Sequence, residues 1–196
     1  MTRSRFILIL LAILWTALFP AVPVSAGTSK NYTKAVERYD VPDVTLIDQD
    51  GKKVRLKKLM MTSDKPLLVD FIYTTCTTIC PVLSANFVNF QRTLGAESGK
   101  TRLISLSIDP EHDTPKVMKA YLNRYQAKPG WDFLTGSKQD MNRVIRAFNA
   151  LGVYSENKME HYPLILMKAP ARDQWTRIYG LIGTTELIKE YEEVRK

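Results

Sequence analysis

The chain has 196 residues, a formal net charge of +8 and 45% hydrophobic residues, a composition that excludes a disordered chain. Two cysteines are too few for a disulfide-stapled miniature fold, so they form either one bridge or one reactive pair. The basic charge comes without an arginine-rich cluster or an aromatic-interleaved basic motif, which disfavours nucleic-acid binding.

The first residues have the pattern of a targeting segment. Arg3 and Arg5 precede the apolar run 6–19, and small residues follow up to Ala26. This pattern predicts a signal peptide over residues 1–26, and the alternative is that the uncharged run remains as a membrane anchor. Both alternatives place the domain outside the cytoplasm, in the periplasm or on the outer face of the inner membrane.

The next segment, 27–40, is polar, and we interpret it as an irregular lead-in with one helical turn. The main domain is expected to span 41–196. Short segments at 44–46 and 54–56, each with a polar residue between two apolar ones, flank a turn that ends in Asp50-Gly51, which predicts an N-terminal β-hairpin.

A β-α-β unit follows the hairpin. The run 67–73 is continuously apolar, which is typical of a strand in the centre of a sheet. Pro81 suits the first turn of a helix and Gly95 suits its end. A second strand over 102–108 would then lie parallel to the first.

The rest of the chain continues the α/β pattern. It predicts a helix capped by Thr114, a short strand over 131–134, a helix from Ser137 to Gly152, two strands at 164–167 and 174–179, and a last helix over 186–195. The fold class is therefore α/β, with a central mixed sheet flanked by helices.

The cysteines, Cys76 and Cys80, follow the central strand directly and precede Pro81. Open α/β sheets build their sites at this position, and a helix start favours thiolates, so we expect both thiol pKa values to be lowered. Residues four apart on a helix can share a metal ion, and the same spacing can close a disulfide. The spacing leaves a metal site, a redox-active pair and a structural bridge open.

Histidine occurs twice. His161 precedes the late strand at 164–167, and thioredoxin-like connectivity would bring it over the start of the Cys80 helix. Two thiolates and one imidazole would form a soft site suited to copper, with zinc as an alternative. His112 lies in an acidic turn, where turn and capping roles account for Asp109 and Asp113.

The stretch 43–195 resembles the Sco/SenC family of copper-delivery proteins. Four features carry the resemblance: the segment 41–51, the Cys76-x3-Cys80-Pro81 signature, the segment 105–115, and a histidine before a late strand. Thr77-Thr78 stands where the family commonly has Pro-Asp, and His161 has neighbours different from those usual in the family.

The resemblance implies a thioredoxin-like fold and a metallochaperone rather than an enzyme. It implies that Cys76, Cys80 and His161 bind copper, as Cu(I) or Cu(II). The implied partner is a copper-accepting subunit of cytochrome c oxidase, whose dinuclear copper centre the family helps to assemble, or another periplasmic copper protein. A membrane surface and a thiol reductant are further expected partners.

An enzymatic alternative remains, in which Cys76 and Cys80 are the redox-active pair of a thiol–disulfide reductase. Pro163 supports it, because a proline opening this strand resembles the cis-proline of thiol–disulfide oxidoreductases. Peroxide reduction is disfavoured, since no arginine lies close to the cysteines in sequence.

Overall fold

The computed structural model describes residues 31–151 and 162–196. Eight strands are present in the described residues: β1 Tyr32–Arg38, β2 Thr45–Asp48, β3 Lys53–Arg55, β4 Leu67–Ile72, β5 Arg102–Ser107, β6 Trp131–Thr135, β7 Leu164–Lys168 and β8 Gln174–Gly180. Five α-helices accompany them: α1 Leu56–Met61, α2 Cys80–Leu94, α3 Pro115–Arg124, α4 Lys138–Ala147 and α5 Thr184–Val194. A 3₁₀ helix, Gly95–Lys100, follows α2.

All eight strands form one mixed sheet in the order β1-β8-β7-β4-β5-β6-β2-β3. Strand β4 lies in the interior of the sheet, parallel to β5 and antiparallel to β7, and all six of its residues are buried. Because β4, β5 and β6 are parallel, their last residues, Ile72, Ser107 and Thr135, lie at the same edge. We call this edge the carboxyl edge, and it is where the chain places the cysteines.

Helices cover both faces of the sheet. One apolar core holds side chains of α2, α3 and α5, such as Phe87, Tyr121 and Tyr191, and both cysteines belong to it. The other core holds side chains of α1 and α4, such as Met60 and Val144. Each helix therefore buries one apolar stripe against the sheet, which is the arrangement that the sequence periodicity predicts.

The structure confirms most of the predicted elements. The hairpin β2–β3 pairs Thr45 with Arg55, and the two late strands, β7 and β8, are antiparallel. The predicted caps are present, because the Thr114 side chain accepts from an N–H in α3 and the Ser137 side chain accepts from one in α4. Helix α4 ends at Ala147, and its predicted stop at Gly152 lies outside the described residues.

Two local predictions are wrong. Residues 32–38, expected to be irregular, form strand β1, which pairs antiparallel with β8 along its whole length. Residues 56–61 form the short helix α1, which has no counterpart in the sequence interpretation. Among the described residues, no helix combines the length and the apolar character needed to cross a membrane.

Candidate metal centre

The two cysteines lie in residues 73–80, between the end of β4 and the first turn of α2. We call these residues the cysteine segment. The N–H of Cys76 donates to the carbonyl of Tyr73 at 3.2 Å, which forms a tight turn directly after the strand. The N–H groups of Val82 and Leu83 donate to the Ile79 carbonyl, so helix α2 begins at Cys80, one residue before the predicted start.

The sulfurs of the two cysteines face each other. Cys76 is 7% exposed and Cys80 is fully buried, and both are reduced thiols. The Cys80 N–H donates to the Cys76 sulfur at 3.4 Å, and the Cys80 side chain also hydrogen-bonds to that sulfur. The Thr78 hydroxyl lies 3.7 Å from the same sulfur. The turn and the helix start therefore bring both sulfurs to one point, with Cys76 on the outer side.

The two thiols differ in acidity. Burial opposes ionisation of Cys76, but hydrogen bonds from the Cys80 side chain, the Cys80 N–H and Thr78 outweigh it and lower the pKa of Cys76 to about 7. Burial raises the pKa of Cys80 well above its ordinary value, and the hydrogen bond with Cys76 raises it further. The expectation of two lowered thiol pKa values is therefore right for Cys76 and wrong for Cys80, because Cys80 is too deeply buried.

Tyr73 is a site residue that the sequence interpretation missed. Burial, followed by a hydrogen bond to Cys76, raises the pKa of Tyr73 to about 12. Its phenol therefore stays protonated and can donate to the Cys76 sulfur. The available signal was its position three residues before Cys76, where the strand ends and the turn begins.

His112 remains in a local turn beside Asp109, with 2.8 Å between its Nδ1 and Asp109 Oδ2. Its side chain is 67% exposed. Within residues 31–151 and 162–196, no three side chains of His, Cys, Asp or Glu come together as a metal-binding group. The described part of the site therefore holds two sulfur atoms, those of Cys76 and Cys80.

His161 lies outside the described residues, so its assignment as a ligand stays a prediction. The next residue in the chain, Tyr162, is described, and strand β7 begins two residues later. Ile165 of β7 pairs with Asp70 of β4, so β7 starts beside the end of β4, at the carboxyl edge. Tyr162 and the start of β7 therefore lie near the edge of the sheet that carries the cysteines.

The Tyr162–Pro163 peptide bond is trans, because the described residues contain no cis peptide bond. The Pro163 carbonyl accepts from the Gly180 N–H at 2.9 Å, which joins the start of β7 to the end of β8. The resemblance of Pro163 to a cis-proline is therefore wrong. A redox role then depends on the two thiols alone.

Comparisons with known proteins agree with this geometry. A family model described as SCO1/SenC matches residues 34–194. The SCO1 protein homolog of Bacillus subtilis (strain 168) is 43% identical over 102 residues, which are 52% of this chain and 51% of the relative. The chain thus spans about half the length of the curated relatives it matches.

Two solved structures extend the comparison to the fold. BsSco, a member of the Sco family of cytochrome c oxidase assembly proteins with a disulfide switch, aligns with a TM-score of 0.65 and 31% identity over 83% of this chain and 96% of that one. Bradyrhizobium japonicum ScoI with copper bound aligns with a TM-score of 0.59 and 28% identity over 76% and 96%. The predicted thioredoxin-like fold is confirmed.

Proposed function

The chain belongs to the SCO1/SenC family, and we propose that it is a copper-binding metallochaperone that helps to assemble the dinuclear copper centre of cytochrome c oxidase. The observation that carries the proposal is the meeting of two reduced cysteines, Cys76 and Cys80, at the carboxyl edge. Two similar proteins support it. ScoI of Bradyrhizobium japonicum has been solved with copper bound, and BsSco belongs to a family of cytochrome c oxidase assembly proteins.

The donor set suits copper. Thiolate sulfur is a soft ligand that prefers Cu(I), and an added imidazole also accommodates Cu(II). Cys76, with a pKa of about 7, loses its proton readily at neutral pH. Cys80 must release a proton as copper binds, so binding is coupled to proton release. His161 is the proposed third ligand, and a site with three protein ligands leaves a position through which copper can pass to an acceptor.

The acceptor in this proposal is a subunit of the oxidase or another periplasmic copper protein. Residues 1–26 would direct export, as a cleaved signal peptide or as an anchor on the outer face of the inner membrane. Thiols in an exported protein oxidise unless a partner reduces them or a metal occupies them, so a thiol reductant belongs to the same proposal.

A second candidate function is thiol–disulfide reduction, and the unequal acidity of the two thiols favours it. The Cys76 thiolate would attack a disulfide of the target and release one target thiolate, forming a mixed disulfide. Cys80 would then lose its proton and attack the Cys76 sulfur, releasing the second target thiolate. The target gains two electrons, and the Cys76–Cys80 pair becomes a disulfide.

Anaerobic Cu(I) titration of the reduced protein without residues 1–26 tests the leading proposal. We expect one copper ion per chain, with binding lost in Cys76→Ser and Cys80→Ser. We expect weakened binding in His161→Ala and unchanged binding in His112→Ala, which serves as the matched histidine control. Wild-type binding in all three ligand variants would refute the proposal.

The same variants separate the two functions. Reduction of a disulfide peptide requires both cysteines and no imidazole ligand. If His161→Ala weakens copper binding and leaves peptide reduction unchanged, the copper site includes the imidazole. If copper does not bind while peptide reduction proceeds, the protein is a reductase.

A further inference from the structure

We propose that Asp113 is a positioning residue that holds the cysteine segment in the geometry in which Cys76 and Cys80 bind one metal ion. Asp113 follows β5 in the chain, and it is separated from Cys76 by 37 positions. The role given to Asp113 rests on the proposed copper function. The hydrogen bonds that Asp113 makes do not depend on that function.

The carboxylate of Asp113 is fully buried and is engaged through both oxygens. Its Oδ1 accepts from the Thr74 N–H at 3.0 Å and from the Thr74 hydroxyl at 2.6 Å. Its Oδ2 accepts from the Ser107 hydroxyl at 2.5 Å. The sequence interpretation assigned Asp113 to a local turn or cap, and the structure corrects this, because two of these three bonds reach into the cysteine segment.

The location of Thr74 explains why these bonds matter for the sulfurs. Thr74 is the first residue after Tyr73, whose carbonyl accepts from the Cys76 N–H to form the turn. Fixing both the N–H and the hydroxyl of Thr74 fixes the direction in which the chain leaves β4. The Cys76 sulfur sits two residues further on, so its distance from Cys80 depends on that direction.

Ser107, the other partner of the Asp113 carboxylate, is also held in place. Ser107 is the last residue of β5, and its backbone is held in register beside Ile72 of β4. Its hydroxyl donates to Asp113 and accepts from the Asp109 N–H at 3.0 Å. The Asp113 N–H in turn donates to the Asp109 carbonyl at 3.0 Å. Asp113 therefore joins the turn before Cys76 to the end of a buried strand.

Substituting Asp113 removes this link in a defined way. An asparagine has nearly the same shape but is neutral and has only one acceptor oxygen, so its oxygen can stay on Thr74 only if its NH₂ group donates to the Ser107 hydroxyl. Hydrogen bonds to an ionised acceptor are roughly twice as strong as bonds to a neutral one, so the two bonds that hold the Thr74 turn are expected to weaken. Groups that orient metal ligands typically contribute about 10–100-fold to metal affinity.

The test compares Asp113→Asn with a matched control, Asp48→Asn. Asp48 is also a buried aspartate, and its Oδ1 accepts from the N–H groups of Asp50 and Lys52 in the β2–β3 turn, outside the cysteine segment. Thr74→Val removes one bond to Asp113, and Thr74→Ser retains it. For each variant, the Cu(I) affinity is measured by competition with a chromophoric chelator, the rates of Cys76 and Cys80 alkylation are measured by mass spectrometry, and the unfolding midpoint is measured in urea.

We expect Asp113→Asn to weaken Cu(I) binding by about tenfold or more and to change the ratio of the two alkylation rates. Thr74→Val should move both readouts in the same direction, and Thr74→Ser should restore them. Asp48→Asn should lower the unfolding midpoint and leave copper affinity within about twofold of wild type, since it does not touch the ligands. A purely structural role for Asp113 would make the two aspartate variants alike.

The inference is overturned if Asp113→Asn keeps both the copper affinity and the alkylation ratio of the wild type. A wild-type protein that binds no Cu(I) would refute the proposed function instead. In that case the ratio of the two alkylation rates still tests the positioning role of Asp113, because this ratio reports the geometry of the two thiols without a metal.

Discussion

Cys76 and Cys80 have the same side chain and opposite acid–base behaviour, and the cause is their positions in one turn. Cys76 lies on the outer side and receives hydrogen bonds from Thr78 and from the start of α2, which lower its pKa to about 7. Cys80 lies in the apolar core, and burial raises its pKa. At neutral pH the Cys76 thiol can therefore ionise for nucleophilic attack or metal binding, whereas the Cys80 thiol stays protonated.

Thr78→Val tests the hydroxyl contribution to this difference. The valine removes the group 3.7 Å from the Cys76 sulfur and retains the β-branched shape. We expect the pH midpoint of Cys76 alkylation to rise from about 7 by roughly half a unit, because the thiolate loses one donor. Reduced protein is alkylated across pH 5 to 9, and the modified peptides are quantified by mass spectrometry.

The matched control is Thr77→Val, which alters the exposed neighbouring threonine. It should leave the alkylation midpoint of Cys76 where it is in the wild type. Equal midpoints in all three proteins would show that the Thr78 hydroxyl does not contribute, and that the Cys80 side chain and the backbone N–H groups set the acidity of Cys76.

At the scale of elements, strand β1 makes residues 32–38 part of the central sheet. Its seven residues pair with β8 from Tyr32 opposite Gly180 to Arg38 opposite Gln174. Tyr32 donates to Glu190 of α5 at 2.9 Å, and Lys34 forms ion pairs with Glu190 and Glu193. The strand thus covers the outer side of β8 and ties the sheet to the last helix.

Removal of β1 tests whether this strand is integral to the fold. A chain that begins at Val41 should unfold at a clearly lower urea concentration than one that begins at Gly27, since it exposes the backbone of β8 and loses the contacts to α5. Urea denaturation followed by circular dichroism measures both midpoints. Coincident midpoints would show that β1 does not contribute to the stability of the fold.

For the whole molecule, the buried carboxyl of Asp70 links stability to pH. Asp70 is fully buried in the central strand β4, and neither of its carboxyl oxygens has a hydrogen-bond partner of good geometry. Burial raises its pKa to about 7, and Ser105 on the paired strand opposes this shift only in part. Between about pH 4 and pH 7 the unfolded chain releases this proton while the folded chain retains it.

Asp70→Asn tests this linkage. The Asp70 contribution to the free energy of unfolding is fully present below the unfolded pKa of 3.8 and is lost as the pH rises through about 7. We expect the wild type to lose roughly 2–3 kcal/mol between pH 5 and pH 8 relative to the variant, which has no carboxyl to ionise. Urea denaturation at the two pH values measures the difference.

Ser105→Ala is the control for this comparison, because it alters the neighbouring position and leaves the Asp70 carboxyl in place. Because it also removes the hydrogen bond that opposes the shift, it should retain the pH dependence and extend the loss of stability to a somewhat higher pH. If Asp70→Asn also keeps the pH dependence, Asp70 does not carry the linkage, and other groups account for it.

The elements around the site could be predicted because their signals are local. The apolar run at β4, Pro81 at the start of α2, and the caps Thr114 and Ser137 each act through neighbouring residues. Strand β1 could not be predicted, because six of its seven residues are exposed or half-exposed and the strand is held by backbone bonds to a partner far along the chain.

By itself the sequence determined the element order, the position of the cysteine pair after a central strand, and the family resemblance, all of which depend on residues close together in the chain. Only the tertiary structure decided that Cys80 is too buried to share the acidity of Cys76, that Tyr73 contacts the Cys76 sulfur, and that Asp113 reaches back to Thr74. Burial and hydrogen bonding between distant segments arise when the sheet and helices pack, and no local pattern encodes them.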